Sequence, residues 1–199
     1  MTDDPSPRRL PPEHARGLPP EYGRVTNPER FRRLHDVAVD LLDRAASRYL
    51  ARRIDGYGAD AELEASLTLA RATVVLKPDH VDEGAIAVAF TTFPGLRVRF
   101  GRWCCLTFPA CGCDACGETG DDECARFTSL AGNLIAGRFR EAIVRTDADT
   151  AWYEWESWEG VTRQKHREPL VGDDVRLRTA RDGVRHDWRA WSPRPGGTS

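Results

Sequence analysis

Ala85-Ile86-Ala87-Val88-Ala89-Phe90-Thr91-Thr92-Phe93-Pro94-Gly95-Leu96-Arg97-Val98-Arg99-Phe100 holds two runs rich in β-branched and aromatic residues on either side of a Pro-Gly turn. Such a pair reads as antiparallel strands. The second run continues to Phe108 as one strand, with Leu96, Val98, Phe100, Cys104 and Leu106 on one parity and Arg97, Arg99, Trp103 and Cys105 on the other. Cys104 and Cys105 therefore point to opposite faces. Upstream, Leu67 to Lys77 has the same β-rich character and adds a strand.

Two helical patterns flank these strands. Asn27-Pro28 offers an N-cap and a proline at the first helical position. Phe31, Leu34, Ala38, Leu41, Leu42, Ala45 and Tyr49 follow at spacings of three and four, predicting a helix from Pro28 to Arg53 that Gly56 and Gly58 end. Asp121-Asp122-Glu123 suits the positive end of a second helix dipole, and Phe127, Leu130, Ala131, Leu134, Ile135 and Ala142 carry that helix to Val144. Beyond it lie five of the six tryptophans, and Asp182-Gly183 between Val175–Thr179 and Val184–Trp188 marks a hairpin. The predicted class is α+β: an antiparallel sheet of about five strands with two main helices on one face. The expected organisation is an extended, proline-rich arm over 1–26, one domain over 27–191 and a loose tail over 192–199.

A net charge of −2 supplies no field to gather nucleic acid or an anionic membrane, and no stretch approaches the roughly 20 apolar residues of a membrane span. Met1-Thr2-Asp3-Asp4 opens with acids and no apolar run follows the first arginines, so no secretory signal is read and a cytoplasmic, reducing location is expected. Lysine occurs only at 77 and 165 among 29 basic residues, a skew that speaks of coding bias more than function.

In a reducing compartment clustered cysteines point to metal or redox chemistry, not disulfides. All six fall between Cys104 and Cys124, and three sit in Cys111-Gly112-Cys113-Asp114-Ala115-Cys116. Gly112 lets the backbone curl, Cys113 and Cys116 have the two-residue gap of a thiolate zinc site, and the N–H groups of Gly112, Asp114 and Ala115 are available to the sulfurs. A closed tetrahedral site needs a fourth ligand. The candidates are Cys124 at the start of the second helix, which is favoured, then Cys105, Cys104, Asp114 and His166. The expected ion is zinc, in a structural role, with an unidentified protein or small molecule as partner. The alternatives are thiol-redox or soft-metal response through Cys111, Cys113 and Cys116, and ordinary reduced thiols. Trp152-Tyr153-Glu154-Trp155-Glu156-Ser157-Trp158 offers a partner surface or, more often for tryptophans, core. His35 reads as a boundary histidine. No phosphate loop, HExxH or G-x-S-x-G elbow is present, so no catalytic residue is assigned.

Phe100-Gly101-Arg102-Trp103, Phe108-Pro109-Ala110-Cys111-Gly112-Cys113-Asp114-Ala115-Cys116, Leu18-Pro19-Pro20-Glu21-Tyr22, Val25-Thr26-Asn27-Pro28-Glu29-Arg30-Phe31 and Gly137-Arg138-Phe139-Arg140-Glu141 together resemble an uncharacterised family of small actinobacterial proteins classed as a domain of unknown function. The resemblance covers about Leu18 to Trp158. It implies no activity and no catalytic residue. Its fixed pattern includes the inner three cysteines and leaves out Cys104, Cys105 and Cys124.

Overall fold

Pro28 has no N–H to donate and a preset φ, so it opens a 3₁₀ turn over Pro28–Phe31 that leads into α1, Arg33–Arg48. The computed structural model describes residues 22–145, 150–170, 174, 176 and 183–195. The side chain of Asn27 makes no cap bond, contrary to expectation; its carbonyl instead accepts from Arg30 at 2.9 Å. Leu34, Ala38, Leu41, Leu42 and Ala45 form the buried stripe of α1, as their spacing predicts. The helix stops five residues before Arg53. Tyr49 is extended, and Ala51–Gly56 forms β1. Every residue of β1 is in register with β2 (Leu69–Pro78), from Ala51 opposite Pro78 to Gly56 opposite Thr73. That ladder outweighs the modest propensity for one more helical turn. The intervening α2, Ala61–Glu64, is capped by Asp60, whose carboxylate accepts from the N–H of Leu63 at 3.1 Å.

β3 (Ile86–Thr91) pairs with β2 and with β4 (Leu96–Phe100), joined by the predicted Pro94-Gly95 turn. The single strand expected over 96–108 is instead a hairpin. Gly101, at φ +66°, turns the chain, and β5 (Cys104–Phe108) folds back with Leu106 opposite Val98 and Cys104 opposite Phe100. Cys104 is buried and Cys105 exposed, on opposite faces. The first sheet is thus a five-stranded antiparallel meander, β1-β2-β3-β4-β5.

α3 spans Gly120–Ile135, with Thr119 as its cap through a 3.1 Å bond from the N–H of Asp122. It does not reach Val144. Gly137 is at φ +71°, and a Cβ there would strike the backbone of Ala190. The chain then enters β6, Ala136–Arg145, where Phe139, Glu141 and Ile143 alternate inward with a strand's period of two. β6 lies between β7 (Ala151–Glu159) and β9 (Val184–Ala190), and β7 pairs with β8 (Thr162–Leu170). This second antiparallel sheet, ordered β8-β7-β6-β9, goes beyond the one sheet expected. Of the expected hairpin, residues 175, 177–179 and 182 lie outside the described set, and β9 pairs with β6.

Both sheets and both main helices contribute to one continuous apolar core, with Phe31, Phe90, Phe100, Phe127, Phe139 and Trp188 among its members. One buried carboxylate ties the sheets together. Glu141 of β6 accepts the N–H groups of Arg102, Trp103 and Cys104 at 2.6, 2.9 and 3.2 Å, and the Tyr153 hydroxyl and Trp188 indole N–H at 3.1 Å each. A Cβ on Gly101 would lie 2.6 Å from its Oε1 and 2.5 Å from the Trp188 indole nitrogen, so glycine is needed there. Ser192 to Arg194, expected in the loose tail, are pinned instead: Leu50 donates to the Ser192 carbonyl at 2.8 Å, and Arg194 donates to that of Arg48 at 2.8 Å. Residues 196–199 lie outside the described set. Among the described residues, no helix is long and apolar enough to cross a membrane.

Candidate metal centre

The cysteine loop leaves the end of β5 through the cis Phe108-Pro109 peptide and delivers the chain to α3. Gly112 sits at φ +79°, and a Cβ there would come within 3.0 Å of both Phe93 and Pro109. A side chain at that position would therefore push the loop off the β3–β4 turn. Asp114–Cys116 forms a 3₁₀ turn closed by Gly117 at φ +63°. The turn swings Cys116 back toward Cys113, and the Sγ atoms of Cys111, Cys113 and Cys116 all fall within 4.8 Å of one another. Cys113 is buried, while Cys111 and Cys116 are exposed.

The two sulfurs of Cys113 and Cys116 are 3.2 Å apart. Zinc–thiolate bonds near 2.3 Å hold tetrahedral sulfurs about 3.8 Å apart, so this pair has to open by about 0.6 Å to take the ion. The donor set, three thiols on one short loop, could hold a metal ion, and thiolates suit soft and borderline-soft cations. The N–H of Gly23, followed by the thiols of Cys116 and Cys111, lowers the Cys113 pKa to about 7, while the hydrogen bonds to Cys113 and Cys111 push Cys116 up to about 12. One proton is thus given up near neutrality and a second is retained, a property of the pair.

The loop is held from outside by charge. Arg30 donates to the carbonyl of Gly112 at 2.8 Å and to that of Glu118 at 3.3 Å. The Glu118 carboxylate accepts the N–H groups of Cys111 and Gly112 at 3.1 and 2.6 Å. Asp114 accepts the N–H and hydroxyl of Thr26 at 3.0 and 3.2 Å and the Arg24 guanidinium at 3.3 Å, and these bonds hold its carboxyl below the ordinary range. The N–H of Asp114 donates to the Arg24 carbonyl at 2.9 Å.

A model of the family of unknown function DUF6226 matches residues 4–195. The chain belongs to the DUF6226 family. Neither curated proteins nor solved structures give a match. Two segments singled out in the sequence of this DUF6226 chain, Phe100–Trp103 and Gly137–Glu141, meet at the Glu141 carboxylate, which accounts for Gly101 and Glu141 without assigning chemistry.

Among the described residues of the DUF6226 chain, no fourth Cys, His, Asp or Glu atom joins the three sulfurs. Cys124 lies in α3 within the main core, and burial pushes its thiol up. Cys104 is core, its thiol pushed well up by burial, and Cys105 faces the other side of the first sheet. Asp114 is engaged by Thr26 and Arg24. His166, on β8, stacks on Trp155 and lies 3.5 Å from Glu168. His35 is a half-buried boundary residue, its Nε2 2.9 Å from the Gly95 carbonyl, and burial lowers its pKa. The N–H groups expected on the sulfurs go elsewhere, Gly112 to Glu118 and Asp114 to Arg24. Gly23 and Arg30 carry no local signal because their partners are 90 and 82 residues away, and Glu118, six residues from Gly112, reads as one more acid before the helix until the loop folds back on it. Of the C-terminal tryptophans, Trp155, Trp188 and Trp191 belong to the core, and Trp152 and Trp158 are only half buried on the outer face of β7.

Proposed function

We propose that Cys111, Cys113 and Cys116 hold one zinc ion that fastens the loop between β5 and α3, in a protein that acts as a binding module and not as an enzyme. The convergence of the three sulfurs within 4.8 Å carries this reading. Support comes from the lowered pKa of Cys113, which makes a thiolate available near neutral pH, and from the Glu118 and Arg30 bonds that set the loop backbone. Cys124 is left out of the set because its thiol is core and raised, and solvent supplies the fourth ligand. Trp152 and Trp158, half-buried on β7, offer aromatic surface to a protein partner. The test is metal analysis with thiol counting on the purified chain. The expected result is about one zinc per chain, a lower melting temperature after chelation, loss of the ion in C113S and retention in C124A. Metal-free protein with all six thiols titrating and a melt indifferent to zinc overturns the proposal.

A second reading rests on the 3.2 Å Cys113–Cys116 separation and the unequal proton affinities of the two thiols. In it the Cys113 thiolate attacks an oxidised partner disulfide, Cys116 resolves the mixed disulfide, and the partner leaves as a dithiol. Uniformly slow alkylation of the loop thiols at pH 7 rules it out.

A further inference from the structure

Phe31 is the first described residue whose side chain is buried. From Tyr22 to Arg30 none is, and only Val25 and Pro28 among its apolar residues are even half-buried. The Arg30 carbonyl abuts Gly120 of α3, and the polar contacts of the rest go to the cysteine loop. The N–H of Gly23 reaches the Cys113 sulfur, Arg24 and Thr26 converge on Asp114, and Arg30 spans the carbonyls of Gly112 and Glu118. Asp114 lies between two of the sulfur-bearing residues, inside the 3₁₀ turn that brings them together. Each contact is polar and part exposed, worth little unless its acceptor is already in place. The 3₁₀ turn that carries Asp114 has no buried residue, so apolar packing does little to set that part of the loop.

From this juxtaposition we infer that residues 22–30 form a metal-gated strap, docked against the body of the protein when the three cysteines hold their ion and released when the ion is lost. This rests on the zinc reading above and adds a consequence to it. The ion draws Cys111, Cys113 and Cys116 together and sets the Asp114 turn; the turn presents its carboxylate and N–H to Arg24 and Thr26; the strap docks. Removal of the ion frees the Cys111 and Cys116 ends of the loop, leaves Glu118 to hold only the Cys111–Gly112 backbone, and takes from the Asp114 turn the restraint that presents it to the strap. The regulated event is exposure of this segment, with the ion as the signal.

Hydrogen exchange read by mass spectrometry on the whole chain, with zinc content measured on the same samples, tests the inference. Three samples are compared: zinc-loaded protein, protein stripped by chelation under reducing conditions, and zinc-loaded D114N. With zinc bound, the amides of Gly23, Thr26 and their neighbours are expected to be protected. After stripping they exchange about tenfold faster or more, while those of β3 and α3 change little. D114N is expected to keep its zinc yet exchange the strap faster than the loaded parent chain, because it loses the charge that binds Arg24 and none of the sulfurs. A zinc-loaded parent chain whose strap exchanges at the stripped rate overturns the gate and leaves the zinc reading intact. Failure to hold zinc overturns both. Global acceleration across β3 and α3 on stripping also overturns the gate, since the ion would then support the whole fold.

Discussion

Replacing Glu141 by glutamine alters one buried atom and keeps the shape of the side chain. Among the described residues, the five polar partners of Glu141 are all donors, two on Oε1 (Arg102 N–H, Trp188 Nε1–H) and three on Oε2 (the N–H groups of Trp103 and Cys104, the Tyr153 hydroxyl). A carboxylate satisfies all of them, and a carboxamide has one oxygen to offer. Burial raises the carboxyl's pKa, while the Arg102 and Trp103 N–H groups, the Tyr153 hydroxyl and the Trp188 indole draw it back. Glutamine does best with its oxygen in the Oε2 position, which leaves its NH₂ against the Arg102 and Trp188 donors. One buried donor, the Trp188 indole, and one part-buried donor, the Arg102 N–H, lose their acceptor at about 1–3 kcal/mol each, and avoiding the burial of a charge returns part of that. The expected net loss is about 2–4 kcal/mol, read as a lower urea midpoint at unchanged slope at pH 7. W188F in the E141Q background removes one stranded donor, so the double variant is expected to lose about 1 kcal/mol less than the sum of the singles. E141Q within about 0.5 kcal/mol of the parent would refute the view that this carboxylate ties the two sheets together.

Three further outcomes are expected. G101A places a Cβ against Glu141 and the Trp188 indole at φ +66° and is expected to cost about 3 kcal/mol, whereas G132A, in α3 with nothing within 4 Å, is expected to gain about 1 kcal/mol; paired denaturation curves decide both. Glu156 is buried, and the hydrogen bond from Arg163, with the charges of Arg140 and Lys165, holds its pKa below the ordinary 4.5. It therefore contributes stability above pH 4.5 that disappears as pH falls through the lower folded value, and E156Q should flatten that acid limb of melting temperature against pH. In metal-free protein, alkylation of Cys113 should rise with a midpoint near pH 7 and that of Cys116 only in strong alkali; simultaneous titration of the two near pH 9 would contradict the shared proton.

Residues whose partners are local were legible in the chain. The stripe from Leu34 to Ala45, the Pro94-Gly95 turn and the opposite faces of Cys104 and Cys105 follow from periods of 3.6 and 2. Misreadings came where apolar residues serve either period until a neighbour selects one. Ala51–Gly56 became strand because β2 lay alongside, and Ala136–Arg145 because β7 and β9 flanked it, with Gly137 breaking the helix at a close approach to Ala190.

The sequence by itself determined the composition of the site: three thiols on a loop made pliable by Gly112, between a strand and an acidic helix start. Only the tertiary structure decided which groups serve it. Folding withdrew Cys104 and Cys124 into the core and turned Cys105 to another face. It brought Gly23, Arg24, Thr26 and Arg30 some 80 to 90 positions through the chain to the loop. The physical reason is that sulfur spacing is a matter of a few bonds along the backbone, while the acceptors and cations around the sulfurs are set by the packing of α1 against α3, a contact between residues far apart in the chain.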